Sequence, residues 1–112
     1  MSDVFEAIAA PVRRAILDEL VDRDGQTLFE LCSRLTMKHQ LGLTRQAISQ
    51  HLDVLEHCGL IRSRKVGRVR TCRLVPQPLR TAERWMTQQR ALWERRLNQL
   101  DKYLLELKED TK

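Results

Sequence analysis

Apolar residues recur at helical spacing through most of the chain and switch to strand-like alternation once, between residues 60 and 75. Residues 3–9 predict a short amphipathic helix with Phe5 and Ile8 inward. Pro11 begins a second helix, since proline is accepted at the first helical position. There Val12, Ile16, Leu17 and Leu20 form the inner face and Arg13 and Arg14 point outward. It stops in the turn Asp22-Arg23-Asp24-Gly25. Thr27 caps a third helix, with Glu30 in capping-box position and Leu28, Leu31, Cys32 and Leu35 inside. Over residues 36–43 two readings stay open: the third helix runs on to His39 before a turn at Gly42, or the stretch is a longer connection. Either is longer than the turn of the simplest helix-turn-helix.

The segment 44–61, TRQAISQHLDVLEHCGLI, has the clearest pattern. Ile48, Leu52 and Leu55 share one face; Gln46, Ser49, Gln50 and Asp53 share the other. Thr44 stands at an N-cap and Gly59 where a left-handed glycine closes a helix. Next come a β-compatible run, a turn at Val66-Gly67 and a second run from Val69 to Val75, the grammar of a hairpin. Pro76 and Pro78 end it. From Leu79 to about Glu109 one long helix follows. Its positions Met86, Arg90, Trp93, Leu97, Leu100, Leu104 and Leu107 step alternately by four and three, a heptad seam in which Arg90 alone is polar. About thirty helical residues rise some 45 Å, more than so small a domain covers. Part of the seam is therefore expected to meet a second chain, with Phe5 and Ile8 contributing to a dimer interface. The alternative is an amphipathic helix lying back on its own core.

Charge sharpens this picture. Arg62, Arg64, Lys65, Arg68, Arg70 and Arg73 place six cations within twelve residues of the hairpin, and no acid occurs between Glu56 and Glu83. The whole chain carries +5, which favours an acidic polymer as partner. Glutamine offers adenine a donor and an acceptor and arginine offers guanine two donors, so Arg45, Gln46, Ser49 and Gln50 can read base edges. A readable helix followed by a cationic hairpin matches a winged helix-turn-helix, with the helix in the major groove and the hairpin on flanking phosphates. RNA fits less well, because the hairpin lacks stacking aromatics.

Other chemistry is sparse. Cys32, Cys58 and Cys72 are odd in number and have no C-x-x-C spacing, which argues against a disulfide framework; Cys32 and Cys58 are expected to be small buried hydrophobes. His39, His51 and His57 form no i, i+4 ligand pair, so no metal site and no cofactor are expected. No nucleophile–base pair, phosphate-cradling glycine loop or carboxylate dyad points to an enzyme. With no apolar run of membrane-spanning length and no signal-peptide pattern, a cytoplasmic protein is expected, without a membrane partner. At 112 residues there is room for one domain with a modest core.

The order APVRRAILDEL, LFELCSRL, TRQAISQHLDVLEHCGLI, a basic hairpin and a Trp-bearing last helix resembles the ArsR family of bacterial winged-helix regulators. The resemblance spans nearly the whole chain, and RQAISQHLDVLEHCGLI is its most specific piece, fitting S-x-H-L-x-x-L-x-x-x-G-L-[IV]. It implies a mainly α fold with a small β-hairpin and a long C-terminal dimerisation helix, as a single domain over 1–112: N-terminal helices at 1–21, helix-turn-helix at 27–59, wing at 60–75 and dimerisation helix at 79–109. The implied function is a homodimeric transcription factor, commonly a repressor at a palindromic operator in double-stranded DNA. Thr44, Arg45, Gln46, Ser49, Gln50 and His51 would face the DNA, with Arg64, Lys65, Arg68 and Arg70 in the wing. Two departures stand out. Metal-sensing members carry a cysteine pair on the helix before the recognition helix, and here Arg34 takes the place of the second thiol after Cys32; the Asp, His and Glu ligands of the C-terminal helix also lack their histidine. Residues 36–43 form an apparent insertion. The chain is thus similar to a branch without the metal motifs, whose effectors are diverse. The competing reading is a winged-helix protein-interaction module that uses the C-terminal helix and binds no specific DNA.

Overall fold

The structure, a computed structural model, describes residues 3–110. Backbone packing divides the chain into two compact units, 1–80 and 81–112. Five helices and three short strands follow in the order α1 (Val4–Ile8), α2 (Pro11–Asp22), β1 (Gln26–Thr27), α3 (Leu28–His39), α4 (Arg45–His57), β2 (Ile61–Val66), β3 (Val69–Leu74) and α5 (Gln77–Asp110). The fold is mainly α with a small antiparallel sheet, as the residue pattern implies.

In the first unit, α2, α3 and α4 bury their apolar stripes against one another. Ile16, Leu20, Leu31, Leu35, Ile48, Leu52 and Leu55 are completely buried and form one core with Leu60, Ile61 and Cys72 of the hairpin. Ile8, expected at a dimer interface, packs partly on this core. Burying a side chain of this size is worth about 1.5–3 kcal/mol, so these residues anchor the unit. Local signals fix the helix ends. Asp3 accepts the Phe5 N–H at the start of α1. Thr27 and Glu30 complete the capping box of α3. Thr44 accepts the Ala47 N–H to cap α4. At the end of α4, Gly59 (φ 81°) lets its own N–H reach the Glu56 carbonyl and that of Leu60 reach the Leu55 carbonyl. This is the reciprocal left-handed closure glycine allows.

Between α3 and α4 the first of the two readings holds: α3 continues to His39. The break comes at Gln40, which takes the left-handed conformation (φ 55°), and not at Gly42. The added turn of α3 carries Lys38 and His39 to the buried carboxylate of Glu19 on α2. His39 Nε2 lies 3.1 Å from Glu19 Oε1, while Arg34 and Lys38 lie 3.6 and 3.7 Å from Oε2. A carboxylate this buried needs such company, since an isolated charge in the interior is costly. The added residues therefore lock α3 to α2.

The sheet has the order β1-β3-β2. The two-residue strand β1 was not foreseeable: it pairs Gln26 with Cys72 and Thr27 with Thr71, and two residues carry no periodicity. Gln26 is buried, and its amide donates to the Glu19 and Arg23 carbonyls, closing the C-terminal end of α2. In the hairpin, Val66 pairs with Val69, so the turn is Gly67-Arg68, one residue later than the sequence indicates. Gly67 supplies the positive φ of 62° at its first central position.

In the second unit α5 is helical to Asp110 and Ala82 is buried. Met86, Trp93, Leu97, Leu100, Leu104 and Leu107 are all exposed, Trp93 to 66%. Among the described residues no helix is long and apolar enough to cross a membrane.

Gly59 should be intolerant for a conformational reason. An added Cβ meets nothing nearer than Pro78 Cγ at 3.7 Å, an ordinary contact, so the cost of Gly59→Ala is that of forcing alanine to positive φ, about 1 kcal/mol. Gly42→Ala, with open space and no positive φ, should leave stability unchanged or slightly higher. Urea unfolding of the two variants checks the contrast; equal losses would refute the closure argument.

Candidate nucleic-acid interface

Helix α4 presents two different surfaces along its outer face. Arg45, Gln46 and Gln50 in its N-terminal half are exposed. Asp53 and Glu56 follow in the C-terminal half, where acids would repel a polyanion. Arg70 of β3 answers both: its Nη2 lies 3.0 Å from Asp53 Oδ1 and 3.0 Å from Glu56 Oε2, while Nη1 donates to Ser49 Oγ at 3.2 Å. On β2, the backbone N–H and hydroxyl of Ser63 both donate to Glu56 Oε1, at 3.0 and 2.7 Å. Those hydrogen bonds from Ser63, with the Arg70 charge, hold the Glu56 carboxyl below its ordinary range despite partial burial. One carboxylate thus joins the helix to both strands of the hairpin.

Arg70, expected among the DNA-facing cations of the wing, is thus already engaged within the fold. Its side chain is only 15% exposed and two carboxylates claim its charge, so it positions the hairpin and is not a free cation. His51 is also diverted. Its Nδ1 lies 3.2 Å from Arg13 Nη1, and the same guanidinium donates to the Ala7 and Glu6 carbonyls at the end of α1. Arg14 donates to the Ile8 carbonyl. Both arginines, expected to point outward, instead satisfy the open carbonyls of a short helix, which cationic side chains do well. Burial and the nearby Arg13 charge hold His51 below the usual imidazole range, so it is a neutral acceptor toward Arg13.

The remaining candidates stay available. Lys65 and Arg68 are exposed at the hairpin end, and Arg64 is exposed on the hairpin face opposite the one that meets α4. Thr44 is exposed and its hydroxyl accepts the Ala47 N–H. Ser49 is half-buried beneath Arg70. One residue escaped the sequence reading. Phe29, in the first turn of α3, is 63% exposed, and the Arg45 guanidinium sits over its ring at 5.6 Å. Such a cation–π contact holds Arg45 at the helix start. No periodic signal marks Phe29, because its partner lies sixteen residues away. Thr27, Phe29, Arg45, Arg68, Val69 and Arg70 line a cleft of about 340 Å³ between the starts of α3 and α4 and the strand β3.

Among the described residues no group of three or more His, Cys, Asp or Glu side chains could hold a metal. Arg34 faces Glu19 and Asp22. Cys72 is the buried thiol, whereas Cys32 and Cys58 are only half-buried. Burial pushes the Cys32 and Cys72 thiols up, away from thiolate reactivity.

A helix with readable side chains at its start, backed by two packed helices and flanked by a basic hairpin fixed to it, defines a winged helix-turn-helix protein. Comparison with known proteins agrees. Residues 8–64 match the helix-turn-helix domain family. The HTH-type transcriptional regulator YuzN of Bacillus subtilis (strain 168) is 46% identical over 77 residues, covering 69% of this chain and 84% of its own. An ArsR-like transcriptional regulator from Rhodococcus sp. RHA1 superimposes with a TM-score of 0.72 at 36% identity, over 88% of this chain and 84% of its own. A second solved ArsR family regulator gives 0.70 at 36% identity, over 80% and 86%. The chain belongs to the ArsR family of winged helix-turn-helix transcriptional regulators, a family of DNA-binding proteins and not of enzymes.

Two of the shifted groups, His51 and Glu56, make the unit acid-sensitive. His51 lies below its ordinary 6.5, so the unfolded chain takes up a proton that the folded chain resists; this contribution is complete above 6.5 and fades as the pH falls below it. Glu56, below its ordinary 4.5, adds a second loss at lower pH. The melting temperature should therefore fall between pH 7.5 and 5.5, and His51→Gln should flatten that fall. An equal fall in the variant would remove His51 from the account.

Proposed function

We propose that this regulator acts as a cytoplasmic homodimer that binds a palindromic operator in double-stranded DNA and represses transcription there. The observation that carries the reading is the division of α4: readable Arg45, Gln46 and Gln50 at its start, and acids at its end neutralised by Arg70 of the hairpin. Recognition helices of this class contact base edges with their N-terminal residues. Thr44 and Ser49 accompany them at the helix start. The cleft between α4 and β3, with Arg45 and Arg68 on its walls, suits the sugar–phosphate strand that separates the major groove from the adjacent minor groove. Lys65 and Arg68 then grip phosphates at the hairpin end. His51 and Arg70 support the surface from behind.

The exposed apolar stripe of α5 supports the dimer. Leu97, Leu100 and Leu104 are each at least half exposed, and a contiguous apolar surface of this kind marks an interaction site. Coiled-coil spacing suits a second copy of the same helix. Phe5 is partly buried and stays a candidate dimer contact of the first unit. The stripe alone would also fit a foreign helix, the protein-interaction reading. That reading gives no reason for Gln46 and Gln50 to lie beside unpaired cations.

Selection of random duplex DNA by the purified protein at near-physiological salt tests the proposal. Recovery of an inverted repeat, with half-sites about one helical turn apart, is the expected result. Arg68→Ala should then weaken binding to all sequences and flatten the salt slope by about one unit per chain, whereas Gln50→Ala should relax preference within the half-site. Recovery of no motif, with binding lost as salt rises, would leave only a cationic surface and overturn specific recognition.

A further inference from the structure

The cleft between the starts of α3 and α4 and the strand β3 carries apolar surface that a phosphate strand does not need. Phe29 and Val69 on its walls are each more than half exposed. Leu28, also on the wall, packs against the core, whereas the Phe29 ring beside it does not. Among the described residues the ring contact of Phe29 is with Arg45 alone, whose guanidinium lies 5.6 Å from the centroid. A large ring held at the rim of a cleft therefore does little for the core of this unit.

The cations of the cleft differ in what they are free to do. Arg70 is engaged by Asp53 and Glu56. Among the described residues no carboxylate lies within ion-pair distance of Arg45 or Arg68. Both are exposed, and a guanidinium fork can hold the two oxygens of a carboxylate together. Two unclaimed positive charges thus face the same space as an aromatic ring and a valine. At about 340 Å³ the cleft lies at the small end of ligand sites, which span roughly 300–1,000 Å³.

We propose that this cleft is an effector site for a small aromatic carboxylate, and that a chain holding such a ligand releases its DNA. The release step rests on the DNA reading above and gives that surface its regulation. Charge and shape select the class together. The carboxylate answers Arg45 and Arg68, and the flat apolar body covers Phe29 and Val69, since aromatic faces stack favourably. Inorganic phosphate would answer the cations and leave the ring bare; an aliphatic acid would forgo the stacking. Ligand and DNA exclude each other, because the ligand neutralises Arg45 and Arg68 and fills the path of the strand. Linkage makes the effect reciprocal, so DNA weakens the ligand by the same factor.

The probe is naphthoate, and its binding is read first on the DNA-free protein by calorimetry. The wild-type chain should bind it saturably. Hexanoate, with the charge but no ring, and naphthylmethanol, with the rings but no charge, should each bind at least about tenfold more weakly. Phe29→Leu and Arg45→Met should each weaken naphthoate to a similar extent, whereas Phe29→Tyr should bind it as the wild type does. Both positions are exposed, so urea unfolding of the variants should stay close to that of the wild type. Added to the complex with the selected duplex at constant ionic strength, naphthoate should raise the apparent Kd for DNA in proportion to its concentration. Absence of saturable binding, or binding that Phe29→Leu and Arg45→Met leave unchanged, would overturn the site. Hexanoate as tight as naphthoate would overturn the aromatic class, and an unchanged affinity for the duplex would overturn the release. A protein that selects no duplex would instead overturn the DNA reading itself, while the DNA-free titration would still decide the site.

Discussion

The proposed recognition surface depends on one carboxylate. Glu56 accepts from the Ser63 backbone and hydroxyl on β2 and pairs with Arg70 on β3, so a single side chain at the end of α4 holds both strands of the wing. A two-stranded hairpin alone is marginal in water, and its outer arginines repel one another. Cys72 and Ile61 anchor its base in the core, yet its upper part bears only polar and charged side chains toward the helix. The ionic contact supplies there what hydrophobic packing supplies below. It also removes a fault, since Asp53 and Glu56 would face a polyanion without Arg70. On the proposed DNA-binding reading, stability and electrostatic fitness come from the same contact.

The rest of the first unit serves that geometry. Buried Glu19 draws Arg34, Lys38 and His39 of α3 onto α2, fixing the helix before the recognition helix. Arg13 ties the end of α1 to His51 of α4. Charged residues thus act as internal fasteners in a core too small and too poor in aromatics to fix every angle by packing. Arg45 over Phe29 extends the device to the exposed edge, where a long side chain is held ready at a low cost in entropy.

Much of this was legible in the residues. Helix faces, caps and the hairpin followed from periodicity and glycine placement, because those rules are local. Thr27 with Glu30 and Gly59 with Leu60 are examples: partners a few residues apart can be read directly. What escaped depends on distance. Arg13 reads as an outward cation until His51, thirty-eight residues on, is seen beside it. Arg70 reads as one more wing cation until Asp53 and Glu56 are seen to claim it. The strand β1 exists because β3 offers it an edge, and nothing in two residues announces that. Over residues 36–43 the helix and the connection both stayed open to the sequence. Residues 36–39 extend α3 toward buried Glu19, and a charge partner on another helix leaves no local signal that would decide between them.

The central claim is that Glu56 and Arg70 act as one unit in holding the wing to the recognition helix. A double-mutant cycle with Glu56→Gln, Arg70→Met and both, read as affinity for the selected duplex, tests it most directly. The account predicts strong coupling: each single change weakens binding, and the double variant is no worse than the poorer single, a coupling energy of about 1 kcal/mol or more. Additive effects would contradict it, and would mean that Arg70 meets the DNA as an ordinary cation while Glu56 only stabilises the fold.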